Sequence, residues 1–192
     1  MKRNLLLLLV SMSTVLGGGM AHGKECKGVS LPDQTQIEGS TLVLNGLGLR
    51  QATMLKVNVY VAALYVAQAS TDADVILGAT TPKQLTLHLL RDGGAADFNK
   101  GWDEGFEQNA KAQLPALKER IETLKGWMAD MKTGQQMTFT YKPDAGMEVK
   151  VNGTVKGAIQ GDDFAKAFLS ILLGAHPPNA GLKAGLLGGD CG

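Results

Sequence analysis

Runs of alternating and of continuously apolar residues predict that the chain is rich in β-strands. Residues 57–66 are apolar on both faces and rich in β-branched and aromatic side chains, which is typical of a central strand. Segments of similar character predict the remaining strands: 35–37, 41–45, 84–90, 136–141, 147–151 and 154–159. Turn residues at 143–146 and 152–153 separate the last three strands, which favours an antiparallel meander.

Other segments carry their apolar residues at helical spacing. Residues 97–113 place aromatic side chains four apart on one face, residues 117–131 carry a second apolar stripe, and residues 162–173 carry a third. A short last helical turn is predicted at 182–187. The order of strands, helices, strands and a helix predicts an α+β fold, with a large antiparallel sheet and helices packed on one face.

The first residues have the pattern of a cleavable signal peptide. Two basic residues precede an apolar run at 5–16, which is too short to span a bilayer, and small residues ending at Ala21 follow it. We therefore predict a signal peptide over residues 1–21 and one folded domain over residues 22–192. The alternative, an N-terminal membrane anchor, needs a charged flank that the chain lacks, so no stable membrane anchor is expected.

The balance of basic and acidic residues bears on which macromolecules the protein could bind. The chain has 19 basic and 18 acidic side chains, and the basic ones form no run. Nucleic acids and anionic membranes both select concentrated positive charge. The composition therefore gives no reason to expect either of them as a partner.

The two cysteines lie near opposite ends of the predicted domain. In an oxidising compartment, an even pair such as Cys26 and Cys191 usually forms a disulfide. The bond would close a loop of about 165 residues and contribute roughly 4–5 kcal/mol before any strain is subtracted. The alternative is two free thiols.

No catalytic or metal-binding motif stands out. The three histidines, His22, His88 and His176, have no metal-ligand spacing to one another or to a cysteine. The chain also lacks the nucleophile motif of serine hydrolases, the phosphate-binding P-loop and the dinucleotide fingerprint. The sequence therefore predicts neither a metal nor a cofactor.

Arg50 is the strongest candidate for a binding residue. It follows the glycine-containing segment 45–49, which we interpret as a turn, and precedes the apolar strand at 57–66. A planar guanidinium binds carboxylate, phenolate or enolate oxygens in pairs. The alternative is an exposed or ion-paired turn arginine. Arg120 lies on a charged helix face and is expected to be solvated.

Two further polar positions lie on otherwise apolar elements. Tyr60 and Tyr65 differ in parity along their strand, so only one of them can share a face with Arg50. Asn109 lies on the helix face of Trp102, and its amide needs a partner from the protein, from water or from a ligand.

These residues resemble the signature of the chalcone isomerase family, and most of all its exported bacterial branch. The segment Gly46-Leu-Gly-Leu-Arg50, then Leu55-Lys56-Val57, then 61–66 resembles its central motif, and residues 28–33 and 168–178 resemble its opening segment and last helix. The resemblance implies an open-faced β-sandwich with a ligand cleft between sheet and helices. It also implies a location in the bacterial periplasm.

The resemblance also implies a set of site residues. Arg50 matches the arginine that stabilises enolate charge in the plant enzymes, and Asn109 matches their asparagine. Trp102 and Ile171 replace hydroxyl-bearing residues, and Tyr60 falls near a threonine. The loss of hydroxyl groups argues against chalcone cyclisation, whereas non-catalytic plant members use an arginine and a tyrosine to bind the carboxylate of a fatty acid.

The leading hypothesis is therefore a periplasmic, non-catalytic protein that binds a fatty acid or a similar small apolar anion. Arg50 would anchor the head group and Tyr60 would donate a hydrogen bond, while Trp102, Asn109 and Ile171 would line the cleft. A second hypothesis is a cofactor-independent isomerase of the intramolecular lyase type, in which Arg50 is catalytic and stabilises an enolate from an enone or phenolic substrate. A third is an envelope interaction protein without a small ligand, whose protein partner is unknown.

Overall fold

The computed structural model describes residues 23–191, so the predicted signal peptide lies outside the described residues. A two-stranded hairpin comes first, formed by β1 (Gly23–Cys26) and β2 (Val29–Pro32). A seven-stranded antiparallel sheet follows, in which every strand pairs with its neighbours in sequence. Its strands are β3 (Gln34–Ile37), β4 (Ser40–Ala52), β5 (Val57–Val66), β6 (Lys83–Leu89), β7 (Gln136–Lys142), β8 (Gly146–Val151) and β9 (Thr154–Ile159).

Five α-helices occur among residues 23–191. They are α1 (Ala73–Gly78), α2 (Ala95–Asn109), α3 (Leu114–Gly126), α4 (Asp162–Leu173) and α5 (Ala180–Leu186). None of these helices is both long enough and apolar enough to cross a bilayer.

The larger core lies between the helices and one face of the sheet. Alternate residues of β5 enter it, beginning with Tyr60, and the apolar stripes of α2, α3 and α4 enter from the other side. Aromatic rings fill its centre: Phe168 of α4 lies 4.5 Å from Phe139 of β7 and 5.2 Å from Trp102 of α2, between ring centroids. The predicted α+β architecture, with helices packed on one face of a large antiparallel sheet, is confirmed.

A smaller core covers the opposite face of β4 and β5. The hairpin β1–β2 packs there, and Tyr65 donates a hydrogen bond to the Pro32 carbonyl at 3.0 Å. Cys26 and Cys191 form a disulfide, with their Cα atoms 5.9 Å apart, which confirms the predicted pairing. The Cys191 carbonyl accepts a hydrogen bond from the Leu49 N–H at 2.9 Å, so the C-terminal segment covers an open edge of β4.

Several boundaries follow the sequence pattern closely. The elements predicted at 57–66, 154–159 and 162–173 are β5, β9 and α4. Asn152 and Gly153 both have positive φ, 46° and 78°, as a two-residue hairpin of this type requires. The helix predicted at 97–113 ends as α-helix at Asn109, and the stripe at 117–131 is helical only as far as Gly126.

The interpretation of residues 45–49 as a turn is wrong. They lie inside β4, and the reversal of the chain comes later, at residues 53–56. Asn45 is the extra residue of a β-bulge, where the register of β4 against β5 shifts. Its amide donates to the Leu186 carbonyl at 2.7 Å and to the Ser70 carbonyl at 3.0 Å, which satisfies a polar group in the sheet. The dipeptide Asn-Gly therefore marks a bulge here and not a hairpin.

Glycines in β4 allow α5 to lie directly on the strand. A Cβ atom on Gly46 would come within 2.0 Å of the Gly185 carbonyl oxygen, and one on Gly48 within 2.2 Å of the Leu182 carbonyl oxygen. Gly185 is equally restricted, since its Cβ would lie 2.2 Å from the Leu47 carbonyl oxygen. These glycines therefore allow a helix of the same chain to approach the strand closely.

Arg120, which was expected to be solvated, forms an ion pair. Its guanidinium binds both carboxylate oxygens of Asp163 at 2.7 Å and the Gln160 carbonyl at 3.0 Å. The arginine ties α3 to the start of α4 and is therefore ion-paired, not freely solvated.

Candidate functional site

Arg50 and Tyr60 are direct neighbours across the β4–β5 ladder. The register pairs the two residues, and their side chains lie on the helix-side face of the sheet. Tyr60 is in the larger core with 9% of its surface exposed, whereas Arg50 is half-buried at the margin of that core. Tyr65 lies on the opposite face, as its parity predicted. The structure therefore brings together two of the predicted site residues.

The tyrosine of this pair is a protonated hydrogen-bond donor without a protein acceptor among residues 23–191. Burial raises the pKa of Tyr60 to about 12, and the positive charge of Arg50 opposes this effect. The hydroxyl therefore keeps its proton at neutral pH. The other two tyrosines both have acceptors, because Tyr65 donates to Pro32 and Tyr141 donates to Asp162.

The guanidinium of Arg50 is also incompletely satisfied by the described part of the chain. Its Nη1 donates to the Gln51 carbonyl and, at 3.4 Å, to the Pro178 carbonyl. No carboxylate among residues 23–191 lies within ion-pairing distance of it. A cation with free donors beside a free hydroxyl is an arrangement suited to an anionic ligand with two oxygens.

Asn109 is engaged by the segment that links α4 to α5. Its Nδ2 donates to the Gly105 carbonyl at 3.1 Å and to the His176 carbonyl at 3.0 Å, while its Oδ1 accepts from the His176 N–H at 3.0 Å. The amide thus uses its donors and its acceptor within the protein. It fixes the linking segment 174–179 against the end of α2.

The same segment also contacts Arg50 and the end of β4. Asn179 bridges the edge of β4, since its Oδ1 accepts from the Gln51 N–H at 3.2 Å and its Nδ2 donates to the Leu49 carbonyl at 3.1 Å. Pro178 places its carbonyl next to the guanidinium. The segment 174–179 therefore lies between Asn109 on one side and Arg50 on the other.

Trp102 and Ile171 are buried in the larger core. The Trp102 ring packs edge-on against Phe139, and its Nε1 donates to the Met128 sulfur at 3.3 Å. Ile171 packs against Gly105, where a Cβ would lie 2.4 Å from an isoleucine methyl carbon. These two side chains form the apolar wall between α2 and α4.

A second cluster of polar groups lies at the other end of the sheet and was missed by the sequence analysis. Lys83 is buried, and its Nζ donates to the carbonyls of Ala79 and Thr81 and lies 4.8 Å from the centroid of the Tyr141 ring. Burial lowers the pKa of Lys83 to about 8, while the nearby Asp162 opposes this effect. The signal in the sequence is a lysine at the first position of a buried strand, followed by alternate apolar residues.

Three cavities are lined by residues other than Arg50 and Tyr60. A groove of about 560 Å³ runs between α2 and α3, past Phe106 and Ile121. A cavity of about 210 Å³ contains Lys83 and Tyr141. A third, of about 570 Å³, lies near Asp72 and the start of the segment 174–179.

The fold and this arrangement define a helix-covered, curled antiparallel sheet with an arginine–tyrosine pair on its central strands. The profile of the chalcone isomerase-like family matches residues 23–188. The chain therefore belongs to the chalcone isomerase-like family, as its motifs indicated. No curated protein matches the sequence.

Among solved structures, the chain is similar to a fatty-acid-binding protein of Arabidopsis thaliana. The two share 17% sequence identity with a TM-score of 0.59, and the match covers 83% of this chain and 92% of the plant protein. At this level of identity the similarity shows a common fold.

Proposed function

We propose that the protein binds a fatty acid or a similar apolar carboxylate without catalysing a reaction. The observation that carries the proposal is the Arg50–Tyr60 pair, in which a guanidinium without a carboxylate partner in residues 23–191 adjoins a protonated hydroxyl without an acceptor there. The similarity to a plant fatty-acid-binding protein supports it.

In the proposed complex, the ligand carboxylate takes the place of the Pro178 carbonyl. That carbonyl lies 3.4 Å from Nη1 of Arg50, at the long end of the hydrogen-bond range. A carboxylate would accept from the guanidinium and from Tyr60 at once, and charge-assisted bonds are stronger than the bond they replace. The Pro178 carbonyl moves away from the guanidinium in this complex, because the ligand carboxylate occupies its position.

Native mass spectrometry of the purified mature protein, followed by lipid extraction, tests the proposal. The wild type is expected to carry a fatty acid or to take one up when it is added. Arg50→Ala and Tyr60→Phe each remove a donor to the carboxylate, with an expected loss of affinity of about 10- to 100-fold for the arginine and less for the tyrosine.

Two matched variants control for unspecific effects. Arg91→Ala removes an exposed arginine, and Tyr65→Phe removes a hydroxyl on the opposite face of the sheet. Both should bind as the wild type does. An empty wild type that also ignores added fatty acids would overturn the proposal. Turnover of an enone that is lost in Arg50→Ala would favour an isomerase instead.

We also propose that the chain is exported to the bacterial periplasm. The N-terminal sequence and the disulfide between Cys26 and Cys191 support this location, because disulfides persist in oxidising compartments. Expression of the full sequence in a bacterium should yield a periplasmic protein whose mass corresponds to cleavage after Ala21. A full-length protein in the cytoplasmic fraction would contradict the proposal.

A further inference from the structure

The hairpin between β4 and β5 ends in two adjacent apolar side chains that are almost fully exposed to solvent. Its turn spans residues 53–56 and is closed by a hydrogen bond from the Lys56 N–H to the Thr53 carbonyl at 3.1 Å. Met54 is 100% exposed and Leu55 is 87% exposed. We call these two residues the apolar tip.

The apolar tip differs from the other exposed apolar residues of the described chain. Val75 and Val155 are 58% and 53% exposed, and each stands alone on the surface. Single exposed apolar residues are common and need no explanation. Met54 and Leu55, by contrast, are adjacent, and at this exposure they contribute nothing to the folded core. The backbone of their turn has a left-handed φ of 63° at the β-branched residue Thr53.

Three cations without ion-pair partners in the described part of the chain lie at the end of the sheet that carries the apolar tip. Arg50 and Lys56 are the charged residues of β4, β5 and the turn between them. Exposed Arg91 follows Leu90, whose N–H binds the Val59 carbonyl, so it lies at the same end of the sheet. None of the three cations forms an ion pair within residues 23–191. The charges of the whole chain nearly balance, but this end of the sheet is locally positive.

We propose that the apolar tip inserts reversibly into the surface of an anionic phospholipid bilayer. A narrow convex tip of two side chains fits the interfacial region of a bilayer, where apolar groups are buried and cations meet anionic head groups. A protein partner would instead need a pocket to receive the tip and a wider contact surface around it. With only two apolar side chains and three cations, the protein should bind the bilayer weakly and reversibly and should not be stably anchored in it.

Docking in this way brings Arg50, four residues from Met54, to the level of the lipid head groups. The docking itself rests on the hairpin alone, whereas its use, the uptake or release of an acyl ligand at the membrane, rests on the proposed function. The two parts are therefore tested separately.

Vesicle co-sedimentation tests the docking. The wild type should bind vesicles of equal parts phosphatidylglycerol and phosphatidylcholine, and bind vesicles of phosphatidylcholine alone much less. The double variant Met54→Ser/Leu55→Ser should lose about tenfold or more in partition coefficient, because both apolar side chains are gone. Lys56→Gln should lose about fivefold on the anionic vesicles and show a weaker dependence on salt.

The matched control is Val75→Ser/Val155→Ser, which removes as many exposed apolar side chains elsewhere and should bind as the wild type does. The apolar tip contacts no core residue, so circular dichroism should show all variants folded. Wild-type protein that ignores anionic vesicles, or a tip variant that binds them equally well, overturns the docking.

Fatty-acid binding in vesicle-free solution separates the two proposals. A tip variant that keeps its fatty acid but loses vesicle binding supports both. A wild type that binds vesicles but no fatty acid supports the docking and refutes the proposed function. A wild type that binds fatty acid but no vesicles supports the proposed function and refutes the docking.

Discussion

The helix-side face of the sheet carries a cation beside a tyrosine at each of its two ends, and the two pairs are in opposite states. At one end, Lys83 has two carbonyl acceptors and an aromatic ring, and Tyr141 donates to Asp162 at 2.9 Å. At the other end, Tyr60 and much of the Arg50 guanidinium have no acceptor within residues 23–191. The same residue types are therefore structural where their hydrogen bonds are complete, and candidates for ligand binding where they are not.

The largest expected effect comes from removing the disulfide, which holds the C-terminal segment against β4 near Arg50. Cys26→Ser/Cys191→Ser should lower the free energy of unfolding by roughly 4–5 kcal/mol, since the bond closes a loop of 165 residues. Chemical denaturation of both proteins measures this. Hydrogen exchange should quicken more at the Leu49 amide, which bonds to Cys191, than in β6, where it rises only with the loss of global stability. Equal protection of Leu49 in both proteins would contradict the assignment.

Separating α5 from β4 should lower the stability at the Arg50 end of the sheet, by less than removal of the disulfide does. In Gly48→Ala the new Cβ meets the Leu182 carbonyl oxygen, which is 2.2 Å away, so the helix must shift at a cost of about 1–3 kcal/mol. Gly101→Ala is the control, because nothing lies near its Cβ and alanine favours the helix by up to about 1 kcal/mol. Urea denaturation should give opposite signs for the two variants.

Removing one hydroxyl from each pair compares the two ends directly. Tyr141→Phe loses a hydrogen bond to a carboxylate and should cost about 1–2 kcal/mol. Tyr60→Phe loses no bond to residues 23–191 and should change stability by less than about 0.5 kcal/mol. Equal costs in ligand-free protein, measured by urea denaturation, would mean that Tyr60 has a protein acceptor in solution.

A last expected effect is a dependence of stability on pH that comes from the Lys83 end. The pKa of Lys83 is about 8 in the folded protein and 10.5 ordinarily, so between these values the unfolded chain holds a proton that the folded protein has released. Stability should therefore rise with pH from 8 to 10. Above pH 10 it should fall, because the pKa of Tyr60 is raised to about 12 and folding opposes its ionisation.

Denaturation at several pH values measures the slope from pH 8 to 10. Lys83→Met should flatten it. Lys166→Met removes an exposed lysine from the same cavity and should leave the slope unchanged. A slope that survives in Lys83→Met would assign the effect to another group.

Local patterns predicted most of the fold, although not β1, β2 or α1, because most elements follow a simple rule. The strand at 57–66 is apolar on both faces because helices cover one side and the β1–β2 hairpin covers the other. The Asn152-Gly153 turn was predictable because the pair adopts positive φ at little cost. The bulge at Asn45 was not predictable, because the partners of its amide, Ser70 and Leu186, lie 25 and 141 residues away.

The candidate site was predictable only in part, for the same reason. Strand parity alone places Tyr60 and Tyr65 on opposite faces, and the register then pairs Tyr60 with Arg50. The role of Asn109 depends on His176, 67 residues further along the chain, which no local pattern reveals. The cluster at Lys83 was missed because the lysine's acceptors are backbone carbonyls and the acceptor of Tyr141 is Asp162, 21 residues away.

The cross-link between Cys26 and Cys191 also bears on how the protein is made. The chain contains two cysteines, so intramolecular oxidation has a single product and no wrong pairing to undo. Because Cys191 lies 165 residues after Cys26, the bond can form only once that whole stretch of the chain has emerged. Forming this bond therefore needs an oxidant but no disulfide-shuffling isomerase, and the reduced protein refolded with an oxidant alone should give the oxidised form.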